Sequence, residues 1–158
     1  MRRTLLLLAL AALPAGLLAQ TPDFSGTWKI NMIKSDAPQG RGGQQMDMSG
    51  LTLTITQTAE ALTIVQTGMG PERTTSYYLD GRESTNAAMR GEMKSTSTWD
   101  GEQLVTDGSA TMQTPNGERT IKSKEVRSLS KDGKTMTVTT TTESPMGTRT
   151  NKRVFDKQ

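Results

Sequence analysis

The chain contains no cysteine and no histidine, and its 158 residues include only two tryptophans, two tyrosines and two phenylalanines. Without cysteine there is no disulfide, thiol nucleophile or thiolate metal site, and without histidine there is no imidazole base or ligand. Haem or zinc chemistry through histidine is therefore excluded. No Gly-x-Ser-x-Gly nucleophile elbow is present, and the sixteen carboxylates of so polar a chain single out no acid/base pair, so an enzyme is not expected. Apolar residues are scarce too. Residues 20–158 hold 37 of them in 139 positions, and only 18 are Leu, Ile, Val or Phe. So thin a core makes disorder the competing expectation, but the charge argues against it. Seventeen Lys and Arg face sixteen Asp and Glu over residues 20–158, so the strong self-repulsion that sustains many disordered chains is missing.

The remaining 14 of the 51 apolar residues lie in the first nineteen positions. Arg2 and Arg3 precede an apolar run from Leu5 to Leu13, Pro14 breaks it, and small residues lead to Ala19. That order is the pattern of a secretory signal peptide, residues 1–19, with Gln20 opening the processed chain. The run is shorter than the roughly 20 residues that span a bilayer. The expected localisation is secreted or periplasmic, with no transmembrane span after cleavage.

What the chain has in abundance is threonine, 26 in all, together with regularly spaced turn pairs. Threonine is β-branched and suits pleated backbone. Asp80-Gly81, Asp100-Gly101, Asp107-Gly108, Asn116-Gly117 and Asp132-Gly133 are each suited to tight turns. Between them the sequence alternates with period two: Leu51, Leu53 and Ile55 against Thr52, Thr54 and Thr56, and Met136 and Val138 against Thr135, Thr137 and Thr139. Nine strands are predicted, near 24–31, 51–58, 61–67, 73–79, 92–99, 103–113, 118–129, 134–143 and 147–156. No stretch of residues 20–158 keeps helical spacing over three turns, so helix is expected to be scarce. Sequential antiparallel strands in one domain of this size fit a single all-β, up-and-down barrel of about 8–10 strands over residues 20–158, which leaves no open edge. An immunoglobulin-like sandwich is the alternative, but it wants more inward-facing bulk.

The two ends of the barrel sequence resemble the calycin superfamily. Residues 24–29 read Phe-Ser-Gly-Thr-Trp-Lys, and the chain closes on Lys152-Arg153-Val154-Phe155-Asp156-Lys157. Lipocalins and fatty-acid-binding proteins carry Gly-x-Trp in the first strand and an arginine in the last. The wording is nearest to the fatty-acid-binding branch, and the whole is most similar to small secreted bacterial lipocalin-like domains. The resemblance makes Phe24, Gly26, Trp28 and Arg153 its structural signature and implies that Arg153 lies across the Trp28 ring. In the fatty-acid-binding branch the terminal Arg-x-Tyr pair helps hold a ligand carboxylate; here Phe155 stands in place of the tyrosine. The helix-turn-helix lid of that branch is also not expected, because Pro38, Gly40, Gly42 and Gly43 disfavour helix after strand one.

The candidate ligand-binding residues are Arg153, Phe155, Trp99 and Tyr77. Alternation sends Tyr77 and Tyr78 to opposite faces, so only one of them can line a lumen. Arg153 has two readings, a ligand anchor through charge-assisted hydrogen bonds or a structural cap over Trp28. Met32, Met46, Met48, Met69 and Met89 fall in or near connections, where they either form an apolar rim or fill gaps. The Gly-Arg-Gly-Gly run at 40–43 lacks the Gly-Lys-Ser/Thr of a phosphate loop and is read as a flexible loop. Residues 118–158 are basic, ten Lys and Arg against five acids, but without interleaved aromatics, so nucleic acid is not expected as a partner. No metal and no cofactor is called for, and a monomer is expected. The expected function is a binding protein holding a small apolar or amphipathic ligand in a lumen open near the 32–50 loop. The alternative is a ligand-free structural or protein-interaction module of the cell envelope.

Overall fold

A computed structural model of the protein describes residues 21–37, 47–88, 91–114, 117–145 and 147–158. The expected leader, the Gly-Arg-Gly-Gly run, Met46, Met89 and Asn116 lie outside them. The short strands come first: β1 Gly26–Ile30, β2 Thr52–Gln57, β3 Ala61–Thr67, β4 Arg73–Tyr78 and β5 Glu83–Ala88. The long ones follow: β6 Gly91–Asp100, β7 Gln103–Thr114, β8 Gly117–Leu129, β9 Thr135–Ser144 and β10 Gly147–Lys157. They form one sheet in the order β4-β3-β2-β1-β10-β9-β8-β7-β6-β5, so the first strand pairs with the last and the wall curls into a barrel. Every pairing is antiparallel. Among the described residues there is no helix, and hence none long and apolar enough to cross a membrane.

Two of the sequence expectations need correction. Strand β5 was not predicted, because its inner face carries Ser84 and Asn86 where alternation would look for apolar side chains. Asp107-Gly108 is not a turn but lies inside β7, paired with β6 and β8. A side chain at Gly108 would meet Ser123 Oγ at 3.0 Å and Ser95 Cβ at 3.5 Å, so the glycine keeps this part of the wall thin. The pairs at Asp80-Gly81, Asp100-Gly101 and Asp132-Gly133 do make turns, each glycine with positive φ.

Up-and-down winding sends the β2–β3, β4–β5, β6–β7 and β8–β9 turns to one end, where both ends of the described chain also lie. Here Phe24, Trp28, Ile55, Leu62, Leu79, Leu104 and Met136 are buried, with Trp99 and Leu129 packed against them. Fully burying each large apolar side chain contributes about 1.5–3 kcal/mol, so this end is the dry part of the barrel. The segment before β1 closes it as a plug. Gln57 holds that segment in place, its Oε1 accepting from Phe24 N at 3.0 Å and its Nε2 donating to Pro22 O at 2.9 Å. The Phe24 ring stacks on Trp99 at 6.0 Å, and Trp28 Nε1 donates to Phe24 O at 2.8 Å.

At the other end the long strands overhang the short ones. The Gly117–Thr120 start of β8 and the Gly147–Arg153 run of β10 are exposed on both faces. Between plug and overhang the inner wall turns polar: Ser84, Asn86, Ser95, Ser97 and Thr106 are all buried. Ser97 and Thr106 satisfy each other across β6 and β7 at 2.8 Å.

The seam between β4 and β5 is closed by side chains. Asn86 Oδ1 accepts from Ser76 N and its Nδ2 donates to Ser76 O, both at 2.8 Å, while Ser84 Oγ accepts from Tyr78 N at 2.8 Å. An inward Asn and Ser thus do the work of a backbone ladder and satisfy groups that would otherwise be buried unpaired. Asn86→Ala strands both Ser76 groups and is expected to cost about 2 kcal/mol in a denaturant melt. Thr85→Ala, on the exposed face of the same strand, is expected to stay within about 0.5 kcal/mol, and equal losses would show that the seam contributes nothing special.

Candidate functional site

The candidate site begins with parity along β8. Ile121, Ser123, Glu125, Arg127 and Leu129 alternate on one face, and the register places Arg127 opposite Leu104 of β7 and Val138 of β9. Arg127 therefore projects into the barrel, and it is 4% exposed. Its guanidinium lies 5.9 Å above the Phe24 ring, on top of the plug. Its Nη2 donates to Glu125 Oε1 at 2.5 Å, and its Nε is buried without a hydrogen-bond partner among the described residues. Removing one member of a buried ion pair leaves an uncompensated charge, so the two residues hold each other in place.

A cavity of about 90 Å³ lies above this pair. Leu51, Leu53, Ile64, Val138 and Phe155 give it apolar walls, and Gln66, Thr75, Tyr77, Glu125, Arg127 and Arg153 bring polar atoms. Ligand pockets usually measure about 300–1,000 Å³, so this space takes a head group and a few carbons rather than a whole elongated molecule. The hollow among the described residues is thus short and of mixed lining. Its cause is the plug: Phe24, Trp28, Trp99 and Arg127 fill what a wider barrel leaves open.

Burial pushes the Tyr77 phenol above its ordinary value, and the nearby Glu125 charge adds to that effect. Tyr77 is thus a neutral hydrogen-bonding group across the physiological range. The carboxylates held below their usual range sit elsewhere, capping their own turns. Asp23 is held by Ser25, Asp47 by Ser49, Asp80 by Arg82, and Asp132 by Ser130 and then Lys134. Among the described residues no group of three acidic side chains is placed to hold a metal ion.

Of the four candidate ligand residues, Tyr77, Arg153 and Phe155 line this cavity and Trp99 does not. Trp99 belongs to the plug, stacked on Phe24. Tyr78 points outward beneath the Arg82 guanidinium, 4.2 Å from it. Met48 is buried, and Met32 and Met69 pack against the core instead of forming an exposed rim. Arg127, Glu125, Gln66 and Thr75 escaped the sequence reading. Ile121 and Leu129 on the same face of β8 were the available signal, because their parity places Glu125 and Arg127 inside.

The cation over the Trp28 ring is Lys157, at 5.2 Å, and not Arg153, whose position opposite Val138 leaves it exposed at the cavity. The register sets this: Trp28 pairs with Lys157, whereas Arg153 lies beyond the reach of β1. Gly26 makes the room. Its φ is +131°, and a Cβ there would stand 2.8 Å from Lys157 Cε.

No family model matches the sequence, and no curated protein matches it. Solved structures do share its shape. Zebrafish ileal bile acid-binding protein, complexed with cholic acid, is 19% identical with a TM-score of 0.58, over 85% of this chain and 98% of that one. Caenorhabditis elegans lipid binding protein 8 is 14% identical with a TM-score of 0.60, over 85% and 95%. Human cRBP IV is 17% identical with a TM-score of 0.56, over 87% and 99%. The fold is that of the calycins, a ten-stranded antiparallel barrel.

Lys157 rather than Arg153 is expected to couple to Trp28. Trp28→Ala should cost about 3–5 kcal/mol and Arg153→Ala less than about 0.5 kcal/mol. A Trp28/Lys157 double-mutant cycle followed by denaturant melts should give a coupling of about 0.5–1 kcal/mol. Additive melts for that pair, with coupling between Trp28 and Arg153, would contradict the register.

Proposed function

We propose that the protein is an exported, non-enzymatic carrier that holds the polar end of a small amphipathic molecule inside its barrel. The observation that carries this reading is the cavity itself, where the buried Arg127, paired with the half-buried Glu125, and the Tyr77 phenol stand over walls of Leu51, Leu53, Ile64 and Phe155. Polar groups that converge beside apolar walls in one hollow are what fixes an amphiphile's orientation. The similar barrels, a bile acid-binding protein and a lipid binding protein among them, lend support by analogy of fold. The remainder of the ligand runs up between the overhanging strands, with Arg153 beside it.

Export is part of the proposal and rests on the basic, apolar and small-residue order of residues 1–19. A chain beginning at Gln20 in the processed protein is the expected product. The second reading, a ligand-free module of the cell envelope, is favoured by one observation, the small volume of the cavity.

Titration with dodecanol separates the two. Each buried methylene contributes about 0.8 kcal/mol, so covering about seven to ten of them, in the cavity and between the overhanging strands together, gives a dissociation constant of roughly 1–100 μM at one site per protein. Thr75→Phe, which fills the cavity from its edge, should weaken binding about tenfold or more. Absence of saturable binding below about 1 mM would favour the ligand-free module.

A further inference from the structure

Arg127 sits in the barrel as an anion seat would: a guanidinium 4% exposed, fixed above Phe24 and turned toward a cavity. The seat is already taken. Glu125, two residues away on the same face of β8, places Oε1 2.5 Å from Arg127 Nη2. We propose that Glu125 is the built-in occupant of this seat, and that it makes the lumen select neutral, hydroxyl- or carbonyl-bearing amphiphiles over carboxylates. The inference rests on the binding function proposed above and names the ligand class for the same cavity.

Three further observations point to a neutral ligand. Arg127 Nε is buried with no hydrogen-bond partner among the described residues, so the guanidinium keeps unused donor capacity after Glu125 has neutralised its charge. The other polar groups at the cavity, Gln66, Thr75 and the phenol of Tyr77, are uncharged and able to donate or accept. The inner wall beside it carries buried hydroxyls at Ser95, Ser97 and Thr106, and Ser95 Oγ is likewise without a partner among the described residues. A ligand acid entering this space meets the half-buried Glu125 carboxylate, and two carboxylates sharing one site disfavour each other's charge. Among the described residues Arg153 is the one other cation at the cavity, and its exposure to water makes it a weak counterweight.

The test has one arm without any amphiphile and one with a matched pair. In the first, Glu125→Ala empties the seat, and acetate serves as the probe. Acetate at 0.3 M, against sodium chloride of equal ionic strength, should raise the variant's Tm by roughly 2–4 °C. Wild type should be unmoved, and Arg127→Leu added to Glu125→Ala should remove the response. In the second arm, wild type should bind dodecanol at least about tenfold more tightly than dodecanoate, a difference of about 1.4 kcal/mol. Glu125→Gln, close in shape to the native residue and used wherever Glu125→Ala folds poorly, should close that gap by raising dodecanoate affinity relative to dodecanol. An acetate response equal in wild type and Glu125→Ala would overturn the proposal, and so would wild type binding dodecanoate as tightly as dodecanol. Acetate rescue with no binding of either amphiphile would uphold Glu125 as the occupant of the seat while overturning the carrier function, and ligand selection with it.

Discussion

A ten-stranded barrel has more inner surface than 18 Leu, Ile, Val and Phe side chains can cover, and most of the structure follows from that shortage. Hydrophobic burial scales with area, so gathering the few large apolar groups at one end dries that end and leaves the other to water. Phe24, Trp28 and Trp99 supply the bulk, Leu62, Leu104 and Met136 surround them, and Gln57 ties the plug to the wall. Away from the plug the inner wall is built from small hydroxyl and amide side chains that settle their own hydrogen bonds. Ser97 with Thr106 is one instance, and Asn86 with Ser76 is another.

The same shortage explains why a charge can sit inside. Arg127 occupies the boundary between the dry and polar regions, with an aromatic ring below it and a carboxylate beside it. A guanidinium suits such a boundary, since its flat face stacks on a ring while its edge makes directed hydrogen bonds. In a fully apolar barrel the pair would add desolvation cost without return. Here it marks the floor of a cavity and gives that cavity its chemistry.

Much of the wall could be read from the chain because period-two alternation is a local property. Leu51, Leu53 and Ile55, or Met136 and Val138, declare their face without help from distant residues. Strand β5 could not be read that way, because Ser84 and Asn86 face inward to bond the backbone of β4, a partner that exists only once the barrel closes. Asp107-Gly108 has turn chemistry, yet pairing on both sides keeps it in a strand. The exchange of Arg153 for Lys157 over Trp28 likewise depends on register, which the final strand's sequence leaves open. The site was half legible: Arg153 and Phe155 stood out through the resemblance of the last strand and Tyr77 as one of few aromatics, whereas Glu125 and Arg127 looked like two more charges in a basic stretch.

The division into a dry end and a polar end is the claim on which the site depends, and native-state amide hydrogen exchange measures it residue by residue. Amides of Trp28, Leu53, Leu104 and Met136 should exchange only through global unfolding. Those of Thr111, Thr120, Thr142 and Thr150, in the overhang of β7 to β10, should open locally and exchange on the order of 100-fold faster or more. Uniform protection along β7, β8, β9 and β10 would contradict the account, because it would mean that the overhang is as tightly held as the plug.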